Sequence, residues 1–397
     1  MESLKRRSDW LVSTTKPPLT RYLMTRVEWD WRLIGVVGAR GTGKTTLVIQ
    51  HLKEKYGLSD EAIYITLDDL YFSSHTLIDF VETFRSRGGK AVYIDEVHKY
   101  TGWAREIKNI YDLFPDMKIV FTGSSIIDIL KQDVDLSRRA VVYKLQGLSF
   151  REYLILNTNM EFEPIQFKEI LARHTEIAID ICQKIKPLAF WDEYLKTGYY
   201  PYFIENKNVY YLRLEQSLNL TLETDLNFID GFDAKNIPKI KQLLYVLAMS
   251  VPFKPNIVKL SEKIGIHRNT LINYLHYLEK AQIIQTLFNA GVTPGILQKP
   301  DKIYLENTNI SWLLSETQPD KGTLRETFFL NQLKNAHTIK LPVKGDYLVD
   351  DKWTFEVGGK TKDNRQIKDL ENAFIVSEDI EIGAYNKIPL WLFGMLY

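Results

Sequence analysis

Eight consecutive residues, Gly38, Ala39, Arg40, Gly41, Thr42, Gly43, Lys44 and Thr45, constrain this chain more than any other stretch. They match the phosphate-loop spacing in full. That spacing works only between a strand and a helix. Its glycines let backbone N–H groups turn inward around phosphate oxygens, Lys44 supplies a point charge, and Thr45 offers a hydroxyl to magnesium. Both neighbours are present: the apolar run 33–37 precedes the loop, and a helical segment from Thr45 to about Lys55 follows it and stops near Gly57. Gly38 through Thr46 are therefore expected to bind a nucleotide.

The same alternation of apolar runs and amphipathic segments continues through 62–67, 91–94, 118–121 and 140–145, which predicts a parallel five-stranded sheet covered by helices. The third run ends in Asp95 and Glu96. Asp95 is suited to share magnesium with Thr45, and Glu96 to polarise an attacking water. The fourth run ends in Ser124 and Ser125, either readers of a γ phosphate or a helix cap. Arg138 and Arg139 follow, as catalytic fingers reaching into a neighbouring subunit, as ordinary surface ion pairs, or in contact with a nucleotide in the same chain.

Composition narrows the class further. Lys and Arg number 51 against 50 Asp and Glu, a net charge of +1, so no global field commits the chain to nucleic acid or to a membrane. The single cysteine, Cys182, fits a reducing, cytoplasmic compartment. No apolar run approaches the roughly 20 residues that span a bilayer.

Taken together, Gly38–Thr46, Asp95–Lys99 with Trp103 and Lys108, Phe121–Ser125, Arg138, Arg139 and Leu148–Tyr153 resemble the AAA+ superfamily of P-loop ATPases. More narrowly, the chain is similar to prokaryotic AAA-type ATPases with a C-terminal domain of unknown function, near the archaeal ATPase and STAND branch. The resemblance implies ATP and Mg2+ as ligands and a homo-oligomer or ATP-dependent assembly. Gly198–Pro201 is similar to a Gly-x-x-Pro element of those proteins, read equally as a nucleotide contact from a lid or as a helix break.

Beyond the core, the expected order is a lead segment 1–25, the ATPase core 26–150, a helical lid 151–235, a winged helix-turn-helix 236–300 and an α/β module 301–397. In the winged helix, 256–264, the turn 265–267 and 268–280 have helix-turn-helix spacing. Arg268, Asn269, Asn273, His276 and Lys280 fall off the apolar face, where they can meet DNA phosphates or base edges. In the last module, a hairpin turning at Asp350, Asp351 and Lys352 pairs Val349 with Trp353 and sets Asp346 opposite Glu356. Lys360 lies on the same side if the strand continues, and Glu326 adds a third carboxylate. This set resembles the PD-(D/E)xK nuclease fold, although Gly358 stands where that pattern has its lysine.

The expected function is an ATP-hydrolysing AAA-type switch, with Lys44, Glu96, Arg139 and Arg138 as catalytic residues, acting on DNA or a protein partner. The alternatives are a non-catalytic STAND-like nucleotide-gated regulator and an ATP-controlled, magnesium-dependent DNA nuclease.

Overall fold

Apolar runs as continuous as Ala91–Ile94 cannot sit in a half-solvated sheet; they need cover on both faces. The structure, a computed structural model, describes residues 1–397 apart from 125–135, 229–231, 250–253, 292–297 and 364. The chain gathers into two units, Met1–Gly147 with Thr224–Phe232, and Leu148–Glu223 with Asp233–Tyr397. The expected core thus shares its unit with the lead segment. The lid, helix-turn-helix and C-terminal segments share the other, apart from the excursion 224–232.

The first unit runs α1 (Glu2–Thr14), β1 (Leu33–Gly38), α2 (Lys44–Tyr56), β2 (Ala62–Thr66), α3 (Leu77–Ser86), β3 (Ala91–Asp95), α4 (Trp103–Leu113), β4 (Lys118–Ser124) and β5 (Val141–Lys144). The strands form one parallel sheet in the order β2-β3-β4-β1-β5. All of β3 is buried, as expected of a strand covered on both faces. The lead segment is part of this unit. Leu4 and Val12 of α1 are buried, and Ser8 Oγ accepts a hydrogen bond from the Tyr64 N–H of β2 at 2.9 Å.

The second unit begins with α5 (Phe150–Thr158), α6 (Phe167–Lys184), α7 (Leu188–Glu193), α8 (Tyr202–Glu205) and α9 (Tyr210–Glu223). Ser149 and Glu152 close a reciprocal capping box at the start of α5. Gly198 ends a π-helical turn, Tyr194–Gly198, and a Cβ there would run into the rings of Tyr194 and Tyr153. The residue is packing-limited. Asn309 stitches this turn from inside, donating to the carbonyls of Tyr194 and Leu195 at 3.1 and 2.8 Å and accepting the Tyr199 N–H at 2.8 Å.

Then follow α10 (Ile237–Ala248), α11 (Ile257–Ile264), α12 (Arg268–Lys280), and the antiparallel pair β6 (Ile284–Leu287) and β7 (Lys302–Leu305). Gly265, at φ 68°, makes the turn between α11 and α12, and Leu271, Tyr274, Leu275 and Leu278 are buried on the predicted face. The chain closes with α13 (Thr308–Leu314), α14 (Lys321–Lys334), β8 (Ile339–Lys340), β9 (Tyr347–Val349), β10 (Trp353–Gly358), β11 (Ala373–Ser377) and β12 (Lys387–Pro389). These strands form a mixed sheet in the order β12-β11-β10-β9-β8, and a buried 3-10 turn, Leu390–Met395, follows.

One buried histidine ties the first unit's stability to pH. His51 of α2 stacks on Trp29 with ring centroids 3.7 Å apart, and its Nδ1 lies 2.7 Å from the Tyr93 hydroxyl. Burial, then Lys118 and Lys55, pull its pKa down to about 4. The unfolded chain, with an ordinary value near 6.5, binds the proton more readily, so this contribution is complete above pH ~6.5 and is lost as pH falls toward 4. About 2–3 kcal/mol is at stake. Urea titrations at pH 7.5, 6 and 4.5 should show His51→Gln losing less stability across that window than the wild type; parallel losses would refute the assignment.

Candidate functional site

The site is built at the carboxyl ends of β1, β3 and β4, where ligands of parallel sheets lie. β1 stops at Gly38, where a Cβ would run into the Leu145 carbonyl, and the loop turns through Gly41 at φ 85° and Gly43 at φ 94°. Only glycine holds such angles without strain. Lys44, 6% exposed, opens α2, and its Nζ donates to the carbonyls of Gly38 and Ala39, each at 3.0 Å. Burial lowers its pKa, and the charges of Glu96 and Asp95 oppose that shift. Arg21 braces the loop from outside. Its guanidinium donates to the carbonyls of Thr42 at 2.6 Å, Gln146 at 2.7 Å and Gly147 at 3.1 Å.

Asp95, at the end of β3, accepts three hydroxyls, from Thr45 at 2.7 Å, Tyr64 at 2.7 Å and Thr122. Burial and the Asp95 charge push the Tyr64 phenol far up, so it stays a donor. Glu96 follows in the left-handed region, φ 53°. Its backbone N–H donates to Thr122 Oγ1 at 3.3 Å, and its Oε2 lies 3.2 Å from His98 Nε2 and 3.9 Å from Arg40 Nη2. Ser124 stands level with Gly38 in the β1–β4 register, and its N–H faces His98 Nδ1 at 3.5 Å. Ser125 lies outside the described residues.

The structure thus gathers Gly38–Thr46, Asp95, Glu96 and Ser124 in one place. Arg138 and Arg139 are not among them. Arg139 sits at the opposite end of the strands, just before β5, with its Nε and Nη2 on Asp112 at 2.8 and 3.0 Å. Six residues of strand separate that level from Gly38 in register, about 20 Å.

Three contributors had no local signature: Arg21 in the lead segment, His98 beyond the acidic pair, and Asp225 in the segment after α9. Asp225, 1% exposed, accepts from Arg40 Nη2 at 2.7 Å and lies 3.6 Å from His98 Nε2. Asp225 stands alone after a long helix, flanked by Thr224 and Leu226, and nothing local signals its role.

The residues fit a magnesium nucleotide. Thr45 and Asp95 present hard oxygens side by side, and Glu96 Oε2 is buried without accepting a hydrogen bond.

In the second unit the expected hairpin has the expected register, Val349 with Trp353 and Tyr347 with Phe355, so Asp346 falls level with Glu356. Asp346 Oδ2 accepts the Val357 N–H at 2.8 Å. Burial raises the pKa of both Glu326 and Glu356, and the Asp346 charge adds to each shift. Tyr304 donates to Glu326 at 2.5 Å. The lysine differs from expectation: β10 ends at Gly358, Lys360 is exposed, and Lys362 pairs with Glu356. The turn from Gly359 to Lys362, closed by a 3.0 Å backbone hydrogen bond, ends the alternation on which the placement of Lys360 depended. Among the described residues, no group of three or more His, Cys, Asp or Glu is arranged to hold a metal ion.

Residues 30–154 match the family of AAA domains, and residues 189–319 match a domain of unknown function, DUF8612. A Methanocaldococcus jannaschii chain, described as an uncharacterized protein, is 27% identical over 284 residues, 68% of this chain. The match spans 60% of that curated relative's length. Similar solved structures include RuvB of Thermotoga maritima, 14% identical, covering 72% of this chain and 89% of that one with a TM-score of 0.31. The Aeropyrum pernix ORC1 protein in complex with DNA is 12% identical, at coverages of 79% and 92% and a TM-score of 0.31. AMPPCP-bound DnaA from Aquifex aeolicus is 14% identical, at 70% and 88% and 0.26. The residues matched by the AAA-domain family, 30–154, contain all five strands of the parallel sheet. No described helix is long and apolar enough to cross a membrane.

Arg21 offers a test of the loop's support. Arg21→Ala leaves three carbonyls without their donor and should cost about 2–3 kcal/mol in urea denaturation and weaken nucleotide binding. Arg21→Lys, with no planar fork, should recover less than half of the stability; full recovery would show that charge alone braces the loop.

Proposed function

We propose that this chain is an ATP-hydrolysing AAA-type switch. The observation that carries the reading is the convergence of Lys44 and Thr45, at the start of α2, with Asp95 and Glu96, at the end of β3, at the carboxyl end of one sheet. Lys44, with the N–H groups of the loop and of α2, receives the β and γ phosphates. Thr45 and Asp95 would hold Mg2+, which when bound supplies charge neutralisation at the phosphates. Glu96 orients and polarises the attacking water, and Ser124 reads the γ phosphate from the end of β4.

Arg139 and Arg138, at the far end of the strands, fit a role in trans. In a homo-oligomer they reach a neighbour's nucleotide, Arg139 first leaving Asp112. We read 236–300 as a winged helix: α11, the Gly265 turn, α12 and the β6–β7 pair, with Arg268 and Asn269 exposed and DNA as the partner. We read 301–397 as a nuclease-like fold in which the carboxylate cluster is structural, because Lys362 already neutralises Glu356.

The contact of Glu96 with both His98 and Arg40 favours one second reading, a STAND-like switch that binds ATP and turns over only when a partner releases Glu96.

The test is ATP turnover by the purified protein with magnesium, with and without duplex DNA, using Lys44→Ala as the blank. Glu96→Gln should keep ATP bound and lower turnover at least a hundredfold; turnover equal to wild type would reject hydrolysis through Glu96. Turnover stimulated by DNA supports the winged helix as its sensor. ATP bound without turnover under both conditions supports the gated switch instead.

A further inference from the structure

Burying a carboxylate is costly unless its partners are close and well aligned. Asp225 is 1% exposed and comes from a segment 185 residues beyond the loop residue it grips. Its two donors are not committed to it alone. Arg40 Nη2 lies 2.7 Å from Asp225 Oδ1 and 3.9 Å from Glu96 Oε2. His98 Nε2 lies 3.6 Å from Asp225 Oδ1 and 3.2 Å from Glu96 Oε2. Two carboxylates therefore share two donors, and the tighter hold on Arg40 belongs to the buried one.

We propose that Asp225 is a positioning residue of the nucleotide site: it keeps the Arg40 guanidinium off Glu96, leaving the Glu96 carboxylate available to water. The inference rests on the reading of Glu96 as the residue that activates water. With Asp225 neutral, Glu96 Oε2 lies 3.9 Å from Arg40 Nη2 as an acidic partner for it. Arg40 closes the 3.9 Å gap, and the resulting ion pair occupies Glu96 Oε2. His98 Nε2 faces the same oxygen, Glu96 Oε2, at 3.2 Å. Although burial alone would raise the Asp225 carboxyl, His98 and Arg40 hold it below the ordinary carboxylate range, consistent with a charge that is present to do this.

The consequence is that hydrolysis depends on the Thr224–Phe228 stretch keeping its place in the first unit. That stretch is continuous in sequence with α9 of the second unit.

The experiment compares wild type, Asp225→Asn, Glu96→Gln and the double variant. It measures kcat, the dissociation constant for a non-hydrolysable ATP analogue, and the thermal midpoint. Asp225→Asn should lower kcat at least tenfold while changing the analogue's dissociation constant less than threefold, and it should lower turnover no further in the Glu96→Gln background. A loss of affinity as large as the loss of kcat, an unchanged kcat, or an additional loss in the Glu96→Gln background would each overturn the proposal. Should Asp225→Asn not fold, Arg40→Gln is compared with Arg40→Gln/Asp225→Asn, which leaves no buried charge unpartnered. Action through Arg40 predicts equal kcat in those two, and a tenfold difference overturns it. If wild type and Glu96→Gln turn over ATP equally, it is the function of Glu96 that has failed, and the analogue's affinity still reports whether Asp225 acts on binding.

Discussion

Everything at the nucleotide site is referred to one carboxylate. Asp95 is buried, yet hydroxyls from Thr45, Tyr64 and Thr122 converge on it, one each from α2, β2 and β4. A carboxylate can accept about four hydrogen bonds, so three donors nearly saturate it. This arrangement fixes the helix that carries Lys44 against the strand that carries Glu96, and Thr122 Oγ1 also takes the Glu96 N–H. The sheet order β2-β3-β4-β1 places β3 between the strands that supply two of these donors. Register in a parallel sheet is thereby converted into alignment of reacting groups, with the left-handed turn at Glu96 redirecting its side chain away from the strand axis.

Much of this was legible in the sequence, for a physical reason. Strands buried on both faces read as uninterrupted apolar runs, and a phosphate loop packs its chemistry into eight neighbouring residues, so local spacing is enough. The Val349–Trp353 register was legible too, because a loop of three residues leaves one way to pair the flanking strands. Arg21 and Asp225 were not legible. Each acts across the fold on groups 21 to 185 residues away, and nothing in the spacing around an isolated Arg or Asp announces such a partner. Lys360 shows the complementary failure: alternation holds only while the strand lasts, and β10 stops two residues short of it.

The second unit buries many polar groups, and some of them are paired through well-placed side chains. Asn309 supplies both donors to a π-helical turn and accepts from Tyr199 and from Tyr210, the latter at 2.5 Å. In such a turn the ordinary helical donors are displaced, so a side-chain amide with donors and an acceptor is well matched to it. The same economy applies at Glu356, where Lys362 stands against a carboxylate that burial would otherwise drive to protonate.

The first unit is not one stretch of chain. Residues Thr224–Phe232 return to it after the polypeptide has built several helices of the second unit. Evolution or engineering that cut at Gly147 and grafted the preceding residues onto another partner would carry over the phosphate loop and the acidic strand end, but not the aspartate beneath Arg40. Such a chimaera would inherit the appearance of a nucleotide-binding cassette while lacking an internal part. A graft that keeps the first unit whole must therefore extend past Phe232 and carry Leu148–Glu223 of the second unit with it.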